Sequence, residues 1–156
     1  MTSNLIIRIV IVLLSVVGLA NALYFTFAYY GRIKKARWVP ELFCAREGSS
    51  CVTVVQTPYA RVFGMPNSLL GITYYVALIS GAVAGWSFGI SLNIDFTYFV
   101  LPFGLVLLFL ASAVTVVLGF YLIYALRRKL HTHCPMCYLG HAINAMLFIL
   151  LIVVIW

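Results

Sequence analysis

Acidic residues are scarce in this chain, and so are charged residues of any kind. Asp and Glu together number 3, and all charged residues make up 8% of the sequence. A soluble domain carries about 25% charged residues, because they must cover its surface. With 65% hydrophobic residues and a mean hydropathy of +1.12, the composition excludes an ordinary soluble domain and predicts a membrane protein.

The sequence also lacks internal repeats and low-complexity tracts, and it leaves no room for a second domain. The first apolar run has no clear small-residue cleavage site, so we interpret it as a retained span rather than a signal peptide. Apolar runs of about 18 residues or more can cross a bilayer, and they must do so as helices. Four such runs are present: Leu5–Tyr30, Ser68–Trp86, Phe96–Leu126 and Cys137–Trp156. We therefore predict an all-α fold, a single domain of residues 1–156 that forms an integral membrane bundle of four transmembrane helices.

Basic residues are concentrated on one side of the predicted bundle. Of the 10 Lys and Arg residues, all but Arg8 fall on the side of the loop after the first span and the loop before the last. Short loops rich in Lys and Arg remain in the cytoplasm, so this side is predicted to be cytoplasmic, with a periplasmic or extracellular face as the alternative. Anionic lipid head groups explain the net charge of +7, and no nucleic acid is needed.

The sequence has 4 cysteines, which form two pairs on that same side. The turn pair, Cys134 and Cys137, forms a C-x-x-C motif where the last span begins. Pro135 favours the first position of a helix, so Cys134 is expected near the N-cap, where the helix dipole favours a thiolate. We interpret the turn pair as redox-active. A structural disulfide and a zinc site that also uses His131 and His133 are the alternatives.

The loop pair, Cys44 and Cys51, lies between the first and second spans. A Gly-Ser-Ser run just before Cys51 indicates a mobile segment, which suits a dithiol that must reach two different partners. A disulfide that only staples the loop is the alternative. The apolar stretch from Val52 to Phe63 predicts a short interfacial helix that covers a pocket in the membrane.

Three polar residues lie near the predicted site. Asn67 begins the second span on the same side as Cys134, where a helix cap is its ordinary role and a functional role the alternative. His141 follows Cys137 by four residues on the same helical face, and an interior hydrogen-bonded histidine is its ordinary role. Asn144 lies one turn deeper and is expected to bond between helices.

Taken together, these features resemble the vitamin K epoxide reductase family. The resemblance rests on the order of four elements and covers essentially the whole chain. They are the loop pair, Thr57, the run from Phe63 to Gly71 (Phe-Gly-Met-Pro-Asn-Ser-Leu-Leu-Gly) and the Cys-Pro-Met-Cys motif of the turn pair. It implies a four-helix bundle that holds a quinone beside the C-x-x-C motif.

The resemblance also implies a role for each matching residue. Cys137 would lie next to the quinone, and Cys134 would exchange with the loop pair. Cys51 would attack Cys134, and Cys44 would exchange with a soluble thioredoxin-like partner. Asn67 matches a family asparagine that hydrogen-bonds a quinone oxygen.

Two residues depart from the family pattern. Thr57 stands where a serine is common and keeps the hydroxyl, so the resemblance implies that it keeps the part of that serine in the quinone site. His141 stands where animal members have tyrosine, and its ring still offers a nitrogen to the quinone. We therefore predict an enzyme that generates disulfides by passing electrons from the partner through both pairs to a quinone. The alternatives are a vitamin K epoxide reductase of the same fold and a non-catalytic membrane scaffold with structural disulfides.

Overall fold

The computed structural model describes residues 2–32, 50–62, 64–84 and 103–155, and these residues are almost all helical. Five α-helices follow one another along this part of the chain. They are α1 (Thr2–Tyr29), α2 (Ser50–Gln56), α3 (Asn67–Val83), α4 (Phe103–Arg128) and α5 (Pro135–Ile155).

Three of these helices, α1, α4 and α5, are long and apolar enough to cross a membrane. They match the first, third and fourth predicted spans, and they support the prediction of a helical membrane protein. Helix α3 is apolar but has 17 residues, which at about 1.5 Å each reach ~25 Å. A bilayer core is about 30 Å thick, so the second span, and with it the count of four, stays a prediction. Residues 96–102 of the third predicted span lie outside the described residues.

The short helix predicted between Val52 and Phe63 differs from the helix observed: α2 begins at Ser50 and ends at Gln56, so Cys51 lies in its first turn rather than before it. Its position at the membrane interface stays a prediction. A 3-10 turn at Pro58–Ala60 and a hairpin of two short strands, β1 (Arg61–Val62) and β2 (Met65–Pro66), continue the chain. Gly64 in the hairpin has a φ of +78°, a conformation that costs glycine little. The sequence reading missed this hairpin, because two-residue strands are too short to show an alternating pattern.

Helix α1 packs against α3 and α5, and α4 packs against α5 and α3. The side chains between them form one apolar core that includes Ile11, Tyr75, Leu78, Leu108, Leu147 and Leu151. The outward faces are apolar as well: Leu13, Val117, Phe120 and Ile149 are each more than half exposed. Because large exposed apolar faces are rare on soluble proteins, this surface is suited to lipid.

Side-chain hydrogen bonds also join the helices. Tyr74 Oη donates to Ser112 Oγ at 2.8 Å and links α3 to α4. Tyr75 Oη donates to Asn144 Oδ1 at 2.6 Å and links α3 to α5. The prediction that Asn144 bonds between helices is therefore confirmed. These bonds fix the faces that the three helices turn toward each other.

Candidate active site

The turn pair is joined as a disulfide at the start of α5, with its two Cα atoms 5.3 Å apart. The helix begins at Pro135, so Cys134 stands at the N-cap position, as predicted. The backbone N–H of Cys137 donates to Cys134 Sγ at 3.3 Å and to the Cys134 carbonyl oxygen at 3.1 Å. Cys134 thus takes the place that a serine or aspartate cap usually occupies, and both sulfurs lie at the positive end of the helix dipole.

Positive charge from α4 is brought to the same end of α5. Arg127 and Arg128 are exposed in the last turn of α4, and the Arg127 guanidinium lies 5.8 Å from the ring centroid of Tyr138. A tight turn returns the chain, with the N–H of Thr132 bonded to the Leu126 carbonyl oxygen at 3.1 Å. The part of the chain that the structure describes has no group of three or more His, Cys, Asp or Glu side chains around a common point.

The two sulfurs of the turn pair meet different surroundings. Cys134 is fully buried in a cluster with Val54 of α2 and Leu126 of α4. Cys137 is half-buried and lines a cavity. Helix α2, to which Cys51 belongs, therefore covers Cys134. The side chain of Cys51 and the whole of Cys44 lie outside the described residues, so their predicted roles stay predictions.

The cavity has a volume of about 360 Å³ and is lined by residues of all five helices. Its wall is mostly apolar and includes Ala22, Val54, Val55, Leu118 and Leu122. The polar side chains among its lining residues include Asn21, Asn67, Tyr75, His141 and Asn144. Small-molecule sites commonly have about 300–1000 Å³, apolar walls and a few polar groups, so this cavity has the size and lining of a ligand site.

Asn67 lines the cavity and is not the cap of its helix. Helix α3 begins at Asn67, and Pro66 stands at the N-cap position. The structure therefore disagrees with the ordinary role considered for Asn67. It brings Asn67, Cys137 and His141 together around one cavity, although they come from different parts of the sequence.

His141 lies one turn after Cys137, and its ring packs against the backbone of α4 at Gly119. A Cβ on Gly119 would lie 2.9 Å from His141 Nδ1, so only glycine leaves the ring this space. His141 Nδ1 is buried and has no hydrogen-bond partner among the residues described. The ordinary role, an interior histidine held by hydrogen bonds, is therefore not fulfilled at Nδ1.

Thr57 lies beside the cavity-lining residues rather than among them. Its hydroxyl donates to the Val54 carbonyl oxygen at 2.7 Å, and its backbone N–H bonds the same oxygen at 3.1 Å. Thr57 thereby closes the end of α2, the helix that covers Cys134. Its predicted part in quinone binding stays a prediction.

Sequence reasoning missed Asn21, which lines the cavity from the middle of α1. A signal was present, because an amide inside an otherwise apolar span is costly and often functional. Tyr74 and Tyr75 were also missed. Aromatic residues in a span do not by themselves distinguish a cavity wall from a lipid-facing surface.

A closed C-x-x-C disulfide beside an apolar cavity, among helices suited to a membrane, is the arrangement of a membrane thiol oxidoreductase. Over residues 9–152 the chain matches the sequence model of the vitamin K epoxide reductase family. This range is nearly the whole chain, so the protein belongs to that family. No curated protein matches the chain. Family membership supports a membrane-embedded thiol oxidoreductase or quinone reductase.

Proposed function

We propose that this protein is a disulfide-forming enzyme that oxidises a soluble thioredoxin-like dithiol protein at the expense of a membrane quinone. The observation that carries this proposal is that the two cysteines of the turn pair have different surroundings. Cys137 lines the cavity, while Cys134 is buried beneath α2, the helix that includes Cys51. In the proposed scheme each sulfur would therefore meet a different reaction partner, Cys134 the loop pair and Cys137 the quinone.

The proposed relay consists of two thiol–disulfide exchanges. A thiolate of the partner attacks the Cys44–Cys51 disulfide, and the partner leaves with a disulfide of its own. The freed Cys51 thiolate attacks Cys134, breaks the Cys134–Cys137 bond and releases the Cys137 thiolate. Cys44 then attacks Cys51, which restores the loop disulfide and leaves the turn pair as a dithiol. Each exchange needs a thiolate, an accessible sulfur and a good leaving group.

The start of α5 favours this order of events. The leaving sulfur belongs to Cys137, in the first turn of a helix, where the dipole stabilises negative charge. Thiolates at helix N-termini and near basic side chains are better leaving groups than ordinary thiols. Attack on Cys134 therefore releases a thiolate that the positive end of the helix dipole stabilises, and it does so on the cavity side.

The cavity residues fit a quinone. The mostly apolar wall suits a flat ring, and Asn67 and His141 offer hydrogen-bonding groups to ring oxygens beside Cys137. A bound quinone would supply the oxidising power, since it takes up the two electrons and two protons released when the dithiol closes again. Asn67 and His141 would hold and orient it, and the apolar wall would exclude water.

Two cysteine variants test the relay in purified full-length protein, with dithiothreitol and a short-chain quinone. Cys137→Ala is expected to reduce turnover to the uncatalysed background, because the sulfur beside the cavity is lost. Cys44→Ala is expected to block oxidation of a thioredoxin-like protein but to keep dithiothreitol turnover within about threefold of wild type, because a small thiol reaches the inner sulfurs directly. Quinone reduction is followed by absorbance.

Other outcomes would favour the alternatives. If both variants fail equally with dithiothreitol, the order of the relay is wrong. If the wild-type disulfides resist dithiothreitol and no quinone is reduced, the protein is a scaffold with structural disulfides. Reduction of added vitamin K epoxide by the wild-type protein would assign it the epoxide reductase activity.

A further inference from the structure

Asn21 joins the middle of α1 to the turn that holds both reactive sulfurs. Its Nδ2 donates to the carbonyl oxygen of Met136 at 3.3 Å. Met136 lies between Cys134 and Cys137 in the C-x-x-C motif. The side chain of Asn21 is 8% exposed, so the contact is shielded from solvent.

The buried amide of Asn21 is only half satisfied. Its Oδ1 is buried without a hydrogen-bond partner among the described residues. A buried acceptor left unpaired costs more than a typical neutral hydrogen bond returns, so packing alone would favour leucine at this position. Asn21 therefore costs the fold some stability, and we expect it to have a role other than stabilising the fold.

Helix α5 has a glycine where the amide approaches it. A Cβ on Gly140 would lie 2.7 Å from Asn21 Nδ2, which is too close for two such atoms. Gly140 follows Met136 by four residues, so both lie on the face of α5 that meets α1. Asn21 and Gly140 therefore form a matched contact that sets how closely α1 meets the first turn of α5.

We propose that Asn21 is a positioning residue for the turn pair. By holding the Met136 carbonyl, it keeps the first turn of α5 in the conformation in which Cys134 and Cys137 remain within bonding distance and Cys137 lines the cavity. Asn21 acts through the backbone of the turn and forms no bond to either sulfur. The use of this effect in catalysis rests on the proposed function, but the effect itself does not require a quinone.

The Asn21 contact should stabilise the disulfide form of the turn pair relative to the dithiol form. Without the Asn21 contact the turn is less constrained in its closed form, so the effective concentration of one thiol at the other falls. The disulfide is then less stable relative to the dithiol. We expect the equilibrium constant to shift about tenfold toward the dithiol in Asn21→Leu, which corresponds to a potential ~30 mV less negative.

The experiment equilibrates full-length protein in lipid nanodiscs with thiol–disulfide buffers of graded potential. Differential alkylation and peptide mass spectrometry then give the oxidised fraction of the turn pair alone. Ser15→Ala is the matched control, because Ser15 is another buried polar residue of α1 whose oxygen has no hydrogen-bond partner among the described residues, and it does not line the cavity. The equilibrium constant between disulfide and dithiol in this control should stay within about twofold of the wild-type value. An Asn21→Leu value within that same range would overturn the proposal.

A second pair of variants tests the contact even if Asn21→Leu folds poorly. Gly140→Ala should shift the same equilibrium toward the dithiol, because the new methyl group displaces the Asn21 amide. In an Asn21→Ala background, Gly140→Ala should have much less effect, since the group it would collide with is gone. Fully additive effects would contradict the proposal, because coupled neighbours are expected to be non-additive.

The proposed function can fail independently of this inference. Wild-type protein that reduces no quinone would refute the proposed function, even if Asn21→Leu shifts the potential. Wild-type protein that reduces quinone, together with an Asn21→Leu potential equal to that of wild type, would refute this inference alone.

Discussion

Cys134 and Cys137 belong to one helical turn, yet their surroundings differ more than their spacing suggests. Cys134 has 0% of its surface exposed, and its sulfur accepts the backbone N–H of Cys137. Cys137 points its half-buried side chain toward a different environment, the cavity wall. At the residue scale, the different surroundings of the two sulfurs come from their positions around the start of α5, and the proposed roles of Cys134 and Cys137 rest on this difference.

Asn67 is the residue of the cavity whose contribution is simplest to isolate. We expect Asn67→Ala to raise the KM for quinone about tenfold with kcat nearly unchanged, because one hydrogen bond to a ligand is worth roughly 1–1.5 kcal/mol and 1.4 kcal/mol is tenfold in affinity. Steady-state kinetics with saturating dithiothreitol measures both constants.

Thr73→Ala is the control for that measurement. Thr73 lies on an exposed face of the same helix, α3, and its hydroxyl donates to the Leu69 carbonyl oxygen at 3.3 Å. The KM of Thr73→Ala for quinone should equal that of wild type. An unchanged KM in Asn67→Ala as well would remove Asn67 from the quinone site.

At the element scale, α2 packs over Cys134 through Val54. Val54 has 7% exposure and packs on Cys134, whereas Gln56 of the same helix is exposed. Attack on Cys134 needs an open path to its sulfur, so α2 must shift or present its own cysteine directly. A helix of 7 residues has little stability of its own and depends on such contacts.

Val54→Ala should therefore expose the turn pair to small thiols. In a Cys44→Ala, Cys51→Ala background, we expect dithiothreitol to reduce the Cys134–Cys137 disulfide about fivefold faster, since exchange rates follow access to the attacked sulfur. Timed alkylation after acid quenching measures the rate. Gln56→Ala is the control and should reduce at the parent rate. Equal reduction rates in the parent, the Val54→Ala variant and the Gln56→Ala variant would mean that thiols reach Cys134 by a path that α2 does not cover.

At the scale of the whole molecule, the surface divides into a broad apolar face and a basic end. Arg127 and Arg128 extend from the end of α4, and the turn pair follows directly in the chain. The Lys and Arg excess on this side predicts that the turn pair faces the cytoplasm. The same orientation would decide on which side of the membrane the proposed soluble partner is found.

Reporters fused to the ends of α5 test this orientation. A phosphatase that is active only outside the cytoplasm should be active when fused after Ile155, and a cytoplasmic fluorescent protein should be dark there. The same reporters placed after Lys129, in the turn between α4 and α5, should give the opposite pattern. Fluorescence after Ile155 would put the turn pair outside and contradict the charge argument.

Several features of the fold and the site follow from residues that are close in sequence. Long apolar runs become helices because lipid leaves backbone groups no other partner. Pro135 starts α5 because proline suits the first helical turn, and this places Cys134 at the cap. Where these local signals are weak, prediction failed: the hairpin between Arg61 and Pro66 has strands of two residues each.

The sequence by itself determined the membrane class, the order of the cysteine pairs and the position of the turn pair at a helix start, because hydropathy and capping act within a few residues. Only the tertiary structure decided that Asn21 meets Met136, 115 residues away, that Val54 covers Cys134, and that the ring of His141 packs on Gly119. These contacts depend on which faces of α1, α2, α4 and α5 turn toward each other. That choice is made by the packing of all the helices together, and no single stretch of sequence contains it.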